Sequence, residues 1–201
     1  MERDFSEVVS LEIPDDCLLI SVGLPGSWKS PVTEEIARRK GFDILRSDLI
    51  RLEVLKGEDI FDNKVASNLD KRKRVYEEMF SRAEKILENS KKGLILDATF
   101  FTNELRAKAA EIAKKANRAF VIAECVCSEK RSIERILKRT KENYESNALT
   151  REAYLNNKAL FESIDLEGLK KGLNQLPIIH IKIDTEDDYP SGWKIIKIEK
   201  R

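Results

Sequence analysis

Histidine is almost missing from this sequence, one residue in 201, and cysteine is scarce at three. His180 lies inside the apolar run Ile178-Ile179-His180-Ile181, while Cys17, Cys125 and Cys127 lie in or beside apolar stretches, none at metal-ligand spacing from it. No Cys/His metal centre is expected, and the cysteines read as reduced core thiols of a cytoplasmic protein. Eight glycines and five prolines are too few for a collagen-like or low-complexity chain, and 41% hydrophobic residues argue against wholesale disorder. Apolar runs fall well short of the ~18–20 residues that span a bilayer, and the opening MERDFSEVVS has no apolar signal core, so no membrane contact or secretion is expected. An excess of one charge is missing too. With 37 basic and 36 acidic residues the net charge is +1, so any contact with nucleic acid or anionic lipid must come from a local patch.

What is present is the rhythm of an α/β chain, long enough for one domain over residues 1–201. Short, nearly all-apolar segments predict strands at Cys17–Gly23, Asp43–Arg46, Leu94–Thr99, Ala119–Cys127 and Ile178–Asp184, as strands covered on both faces should read. Trp193–Ile198 reads as an edge strand, within a C-terminal extension of about 178–201. Between the strands, Lys71–Ser90 carries Val75, Met79, Ala83, Ile86 and Leu87 at helical spacing, and Glu104–Ala116 and Ser132–Arg139 are also helix-patterned. The run Lys71-Arg72-Lys73-Arg74, flanked by Asp70, Glu77 and Glu78, reads as a solvated helix end.

The sharpest local signal is LLISV followed by Gly23-Leu24-Pro25-Gly26-Ser27-Trp28-Lys29-Ser30 and a helix that closes with Arg38-Arg39-Lys40 before Gly41. A triphosphate needs clustered backbone N–H donors, the positive end of a helix, an ammonium and a hydroxyl for Mg²⁺, and Gly23, Gly26, Lys29 and Ser30 have the spacing to supply them. Pro31 fits the first helical turn. Trp28 stands where the pattern G-x-x-x-x-G-K-[ST] has its second glycine. A left-handed backbone there would cost a non-glycine residue about 1–2 kcal/mol, and the indole would have to leave the path of the nucleotide.

Three further sets follow in chain order. Ser47-Asp48-Leu49-Ile50-Arg51 comes at the C-terminal end of the second strand, where α/β sheets bind ligands, with Asp48 and Arg51 one helical turn apart. Asp48 can take the proton of an attacking hydroxyl, and the planar fork of Arg51 can hold a phosphate on the acceptor. Asp97 ends a buried strand, where a second carboxylate reaches Mg²⁺ beside the loop serine. Ser128 starts a helix bearing Arg131, Arg135 and Arg139 at four-residue spacing, a stripe able to close over phosphates or simply to face solvent, with polar Lys141–Asn147 as the far side of a lid over about 128–150.

From Leu18 to Phe161 these motifs resemble the P-loop kinases, specifically the polynucleotide 5′-hydroxyl kinases and zeta-toxin-like ATP-binding proteins. The carriers are GLPGSWKS, SDLIR, LILDATF and RSIERILKR. The resemblance implies a P-loop NTPase three-layer sandwich with a five-stranded parallel sheet in the order 2-3-1-4-5 and a helical lid. It also implies ATP and Mg²⁺ as cofactors, cradled by Gly23, Pro25, Gly26, Ser27, Trp28, Lys29 and Ser30 with Arg131, the metal on Ser30 and Asp97. Lys29, Asp48, Arg135 and Arg139 would be catalytic, and Asp48 with Arg51 would bind the acceptor.

Two functions follow. One is transfer of the γ-phosphoryl group of ATP to a hydroxyl, on a polynucleotide 5′ end or a small phosphorylated molecule. The other is a non-catalytic descendant, a sensor or interaction protein in which Trp28 fills the phosphate cradle. Acceptor, base preference and oligomeric state are not written in these motifs.

Overall fold

The computed structural model describes residues 3–140 and 148–201. Its sheet has seven strands: β1 (Arg3–Asp4), β2 (Leu18–Val22), β3 (Asp43–Arg46), β4 (Leu94–Asp97), β5 (Phe120–Val126), β6 (Ile178–Asp184) and β7 (Lys194–Lys200). They lie in the order β1-β7-β6-β5-β2-β4-β3. The pairs β6/β5, β5/β2, β2/β4 and β4/β3 are parallel, whereas β7 runs antiparallel to both β6 and β1. The expected five-stranded, all-parallel sheet is therefore corrected to a seven-stranded mixed one.

Of the two strands outside the parallel five, β7 is the edge strand expected at Trp193–Ile198, and only β1 is an addition. Asp4 caps α1 (Phe5–Glu12), its carboxylate accepting from the Glu7 N–H, and Phe5, Val8 and Val9 of that helix are buried. Phe5 meets the ring of Trp193 edge-on, with centroids 5.2 Å apart. This packing draws the chain start against β7, and the two-residue β1 exists only through that pairing.

Side chains of the central strands alternate between two cores. Leu18, Ile20 and Val22 of β2 pack with Leu94 and Leu96 against α5 (Leu69–Asn89), α6 (Asn103–Lys115) and α9 (Leu166–Gly172). Leu19 and Ile95 pack on the other face with α1 and α2 (Lys29–Lys40). Burial on both faces explains why these strands read as continuous apolar runs. Among the described residues no helix is long and apolar enough to cross a membrane.

Candidate active site

β2 is the point where the chain's connections diverge, with β4 on one side of it and β5 on the other, so the loop that follows it opens at the sheet's natural crevice. That loop leads into α2, whose first residue is Lys29. Gly23 and Gly26 have φ of +152° and +81°, and a Cβ on them would lie 2.5 Å from the Cys125 carbonyl oxygen and 2.4 Å from that of Ser132. Here glycine is needed for close approach as much as for φ: the loop is pressed onto β5 and onto α7 (Glu129–Leu137).

Trp28 is the N-cap of α2, with φ 57° and ψ 28° and no side-chain cap bond. A left-handed non-glycine residue costs about 1–2 kcal/mol, and here the indole finds compensating contacts. Its Nε1 donates to the Asp188 carbonyl at 3.1 Å, and the Arg135 guanidinium lies 4.3 Å from the ring centroid. The side chain is thus tied to the segment after β6.

A cavity of about 250 Å³ opens beside the loop, lined among others by Gly26, Lys29, Ser30, Asp48, Arg51, Arg72, Asp97 and Arg139. Lys29 Nζ donates to the Leu24 carbonyl of its own loop at 3.0 Å. Burial pushes its pKa below the ordinary lysine value, with Asp97 acting in the opposite sense. Asp97 is 5% exposed; its Oδ1 lies 2.9 Å from the Ser21 hydroxyl and its Oδ2 4.0 Å from Arg46 Nε. Ser30 and Asp97 together offer a hydroxyl and a carboxylate, the hard oxygen set that suits Mg²⁺ sharing its remaining positions with phosphate and water.

On the β3 side, α3 (Ser47–Val54) carries Asp48 and Arg51 three residues apart, both into the cavity lining. Burial raises the Asp48 pKa above the usual carboxylate range, Arg51 opposes that shift, and Asp97 adds to it. Arg51 is 8% exposed, and its Nε and Nη1 have no hydrogen-bond partner. Two unmet donors on a buried cation are costly, and they mark a place built for an anion.

Arg72 stands beside it. Its Nε donates to the Ala66 carbonyl at 2.9 Å and its Nη1 to Asn157 Oδ1 at 3.3 Å, while its guanidinium lies 5.6 Å from the Phe101 ring centroid. Burial lowers its pKa first, the Arg51 charge second. The run 71–74 is thus not wholly a solvated helix end: Lys73 and Arg74 are exposed, but Arg72 lines the cavity. Its spacing with Val75, Tyr76 and Met79 on the buried face of α5 is the sequence signal for it.

The three arginines of the stripe are divided. α7 ends at Leu137, and the Arg139 N–H bonds to the Ile136 carbonyl in a tightened last turn, which turns Arg139 into the cavity lining. Arg131 and Arg135 instead grip the segment after β6. Arg135, 3% exposed, pairs with Asp188 at 2.9 Å and donates to the carbonyls of Gly26, Thr185, Glu186 and Asp187 at 2.7 to 3.2 Å. Arg131 donates to the Glu186 carbonyl and pairs with Asp188 at 2.8 Å. Thr185 completes the tie, its hydroxyl donating to the Ser27 carbonyl at 3.0 Å. Thr185 and Asp188 carry no motif, and nothing in the sequence marks them. The expected lid segment Lys141–Asn147 lies outside the described residues.

Among solved structures, the chain is similar to a gluconokinase from Sinorhizobium meliloti 1021, at 17% identity and a TM-score of 0.56, over 87% of this chain and 86% of that one. It is also similar to a candidate kinase from Chloroflexus aurantiacus j-10-fl, at 17% identity and a TM-score of 0.61, over 86% of this chain and 89% of that one. At these identities the likeness is one of fold. No curated protein sequence matches. The AAA domain family model AAA_33 matches residues 18–164, from the first residue of β2 to just past α8 (Arg151–Leu160), taking in every side chain of the cavity. With the glycine-backed loop at the head of α2 and charged groups converging on it, that match places the chain in the AAA_33 family of P-loop kinase domains.

Proposed function

We propose that the chain is a phosphotransferase that moves the γ-phosphoryl group of ATP to a hydroxyl of an acceptor carrying its own anionic group. The observation that carries this reading is one cavity holding, side by side, a phosphate loop with its lysine, a carboxylate of raised pKa and, on the far wall, the buried Arg51 with the half-buried Arg72.

In this reading the loop amides that line the cavity, those of Gly26, Trp28, Lys29 and Ser30, and the Lys29 ammonium hold the outer phosphates of ATP. Ser30 and Asp97 would hold Mg²⁺, which would supply positive charge against the outer phosphates. Arg51 and Arg72 fix the anionic end of the acceptor and so set its hydroxyl toward Asp48. Asp48 accepts the hydroxyl proton as the acceptor oxygen bonds to γ-phosphorus. The bond from γ-phosphorus to the bridging oxygen breaks, and ADP leaves with that electron pair. Arg139 stabilises the charge spread over the transferring oxygens. Arg131 and Arg135 hold the segment after β6 in place and serve as positioning residues.

Acceptors that pair a hydroxyl with a neighbouring anion include a nucleic-acid 5′ end, a small phosphorylated molecule and a sugar acid, the last suggested by the gluconokinase neighbour. γ-Labelled ATP with Mg²⁺ and a panel of 5′-hydroxyl oligonucleotides, sugar phosphates, nucleoside monophosphates and gluconate tests this directly. Label should enter an anionic acceptor, and the transfer should vanish in Asp48→Asn. Transfer only to uncharged alcohols, or transfer that survives Asp48→Asn, would overturn the assignment.

A further inference from the structure

We propose that Trp28 occupies the position of the donor's nucleobase, so that this protein takes its donor by the phosphates and does not read the base. The inference rests on the reading that residues 23–30 hold a triphosphate.

In-line transfer puts the attacking and leaving oxygens on opposite sides of the γ-phosphorus. The acceptor wall, with Asp48 and Arg51, belongs to α3, which follows β3 on one flank of β2. The leaving nucleoside diphosphate therefore runs toward the opposite flank, beyond β5 and β6. On that flank, at the edge of the cavity that Trp28 also lines, is a place where a flat heteroaromatic ring can stack. It has the Arg135 guanidinium as one face, held by Asp188 and the main-chain carbonyls of residues 185–187, and the Asp188 carbonyl as an acceptor at its edge.

The Trp28 indole fills it. Its ring lies 4.3 Å from the guanidinium carbon, and its Nε1 reaches the Asp188 carbonyl at 3.1 Å. A stacked cation and a main-chain acceptor for a ring-edge N–H are the two interactions a purine would use in the same place. The indole supplies both from within the chain, attached to the residue just before Lys29, where the backbone is left-handed and a glycine would leave that place open. The ligand class is thus any Mg²⁺-bound triphosphate, whatever its base, inorganic tripolyphosphate included.

The test is calorimetric titration of the full chain with Mg²⁺ complexes of inorganic tripolyphosphate, ATP, GTP and CTP. The wild type should bind all four within about threefold of one another, since only the phosphates are recognised. In Trp28→Gly the affinity for ATP or GTP should rise about tenfold relative to that for tripolyphosphate in the same variant, as a base enters the vacated stack. Trp28→Asn, which also tolerates a left-handed backbone, should gain as much, which assigns the effect to the missing indole and not to glycine's flexibility. If the wild type already prefers ATP to tripolyphosphate about tenfold, or if neither variant gains base-dependent affinity while tripolyphosphate still binds, the proposal falls and the phosphate loop stands. If no ligand binds the wild type or either variant, the loop reading fails and this inference with it.

Discussion

Arg51 and Arg135 are almost equally buried, 8% and 3% exposed, yet they sit in opposite electrostatic settings on the two flanks of the phosphate loop. Arg135 pairs with Asp188 and donates to a ring of carbonyls that binds the loop, α7 and the segment after β6 into one piece. Arg51, on the other flank, keeps Nε and Nη1 unpartnered beside the charge of Arg72. A buried cation whose donors are all met by the chain is structure. One whose donors are left unmet is a binding site awaiting its anion. The same contrast separates the two aromatic walls, the Trp28 indole anchored at its Nε1 and the Phe101 ring set against Arg72 inside the cavity.

The widest gap between the flanks is expected in catalysis. Asp48→Asn keeps the shape of the acceptor wall but cannot take a proton, so kcat should fall about 10²- to 10⁴-fold while Mg·ATP affinity stays within about threefold. Steady-state kinetics with calorimetry reads both, and a parallel loss of ATP affinity would move Asp48 to the donor side.

Next comes a pair of arginine variants that should diverge. Arg135→Ala breaks a buried ion pair and strands several carbonyls, so it should cost about 3 kcal/mol and lower Tm by roughly 6–12 °C. Arg51→Ala removes a buried cation whose Nε and Nη1 are unpartnered and which is offset only in part by the charge of Asp48, so Tm should hold within about 2 °C or rise, while acceptor KM climbs about 10- to 100-fold. Scanning calorimetry and acceptor saturation curves decide it. Equal losses of stability would erase the distinction between the flanks.

A smaller effect lies in the pH profile of kcat/KM, which reports the free enzyme. Asp48 must be ionised to act, and burial raises its pKa, so activity should fall on the acid side at a pH above that of an ordinary aspartate. Lys29 must be protonated, and burial lowers its pKa, so the alkaline fall should begin below that of an ordinary lysine. Because Arg51 opposes the Asp48 shift, Arg51→Gln should move the acid limb to still higher pH.

The parts of this molecule legible in its sequence are those whose constraints are local. Gly23, Gly26, Lys29 and Ser30 fall within eight residues, and Asp48 and Arg51 within one helical turn, so spacing alone exposes them. β6 matches its expected bounds because burial on both faces leaves an apolar run, whereas β3, exposed or half-buried throughout, matches because Ile44 and Leu45 stand between charged residues. Where the structure depends on partners far along the chain, spacing is silent. β1 forms only against β7, so a single-sequence reading sees a charged start and nothing more. The indole of Trp28 is oriented by Asp188, 160 positions away. Arg131, Arg135 and Arg139 look alike on a helical wheel, and only the end of α7 at Leu137 and the docked segment after β6 separate them. Arg72 lies inside a charged run, and its inward face is marked in the sequence only by its spacing with Val75, Tyr76 and Met79.

The most direct measurement of the central claim, that residues 23–30 cup the outer phosphates of a nucleotide, is a calorimetric titration of Mg·ATP into the wild type and into Lys29→Ala. Saturable one-to-one binding should appear in the wild type and weaken about tenfold or more without the ammonium. No binding to the wild type, or equal affinity in both proteins, would contradict it.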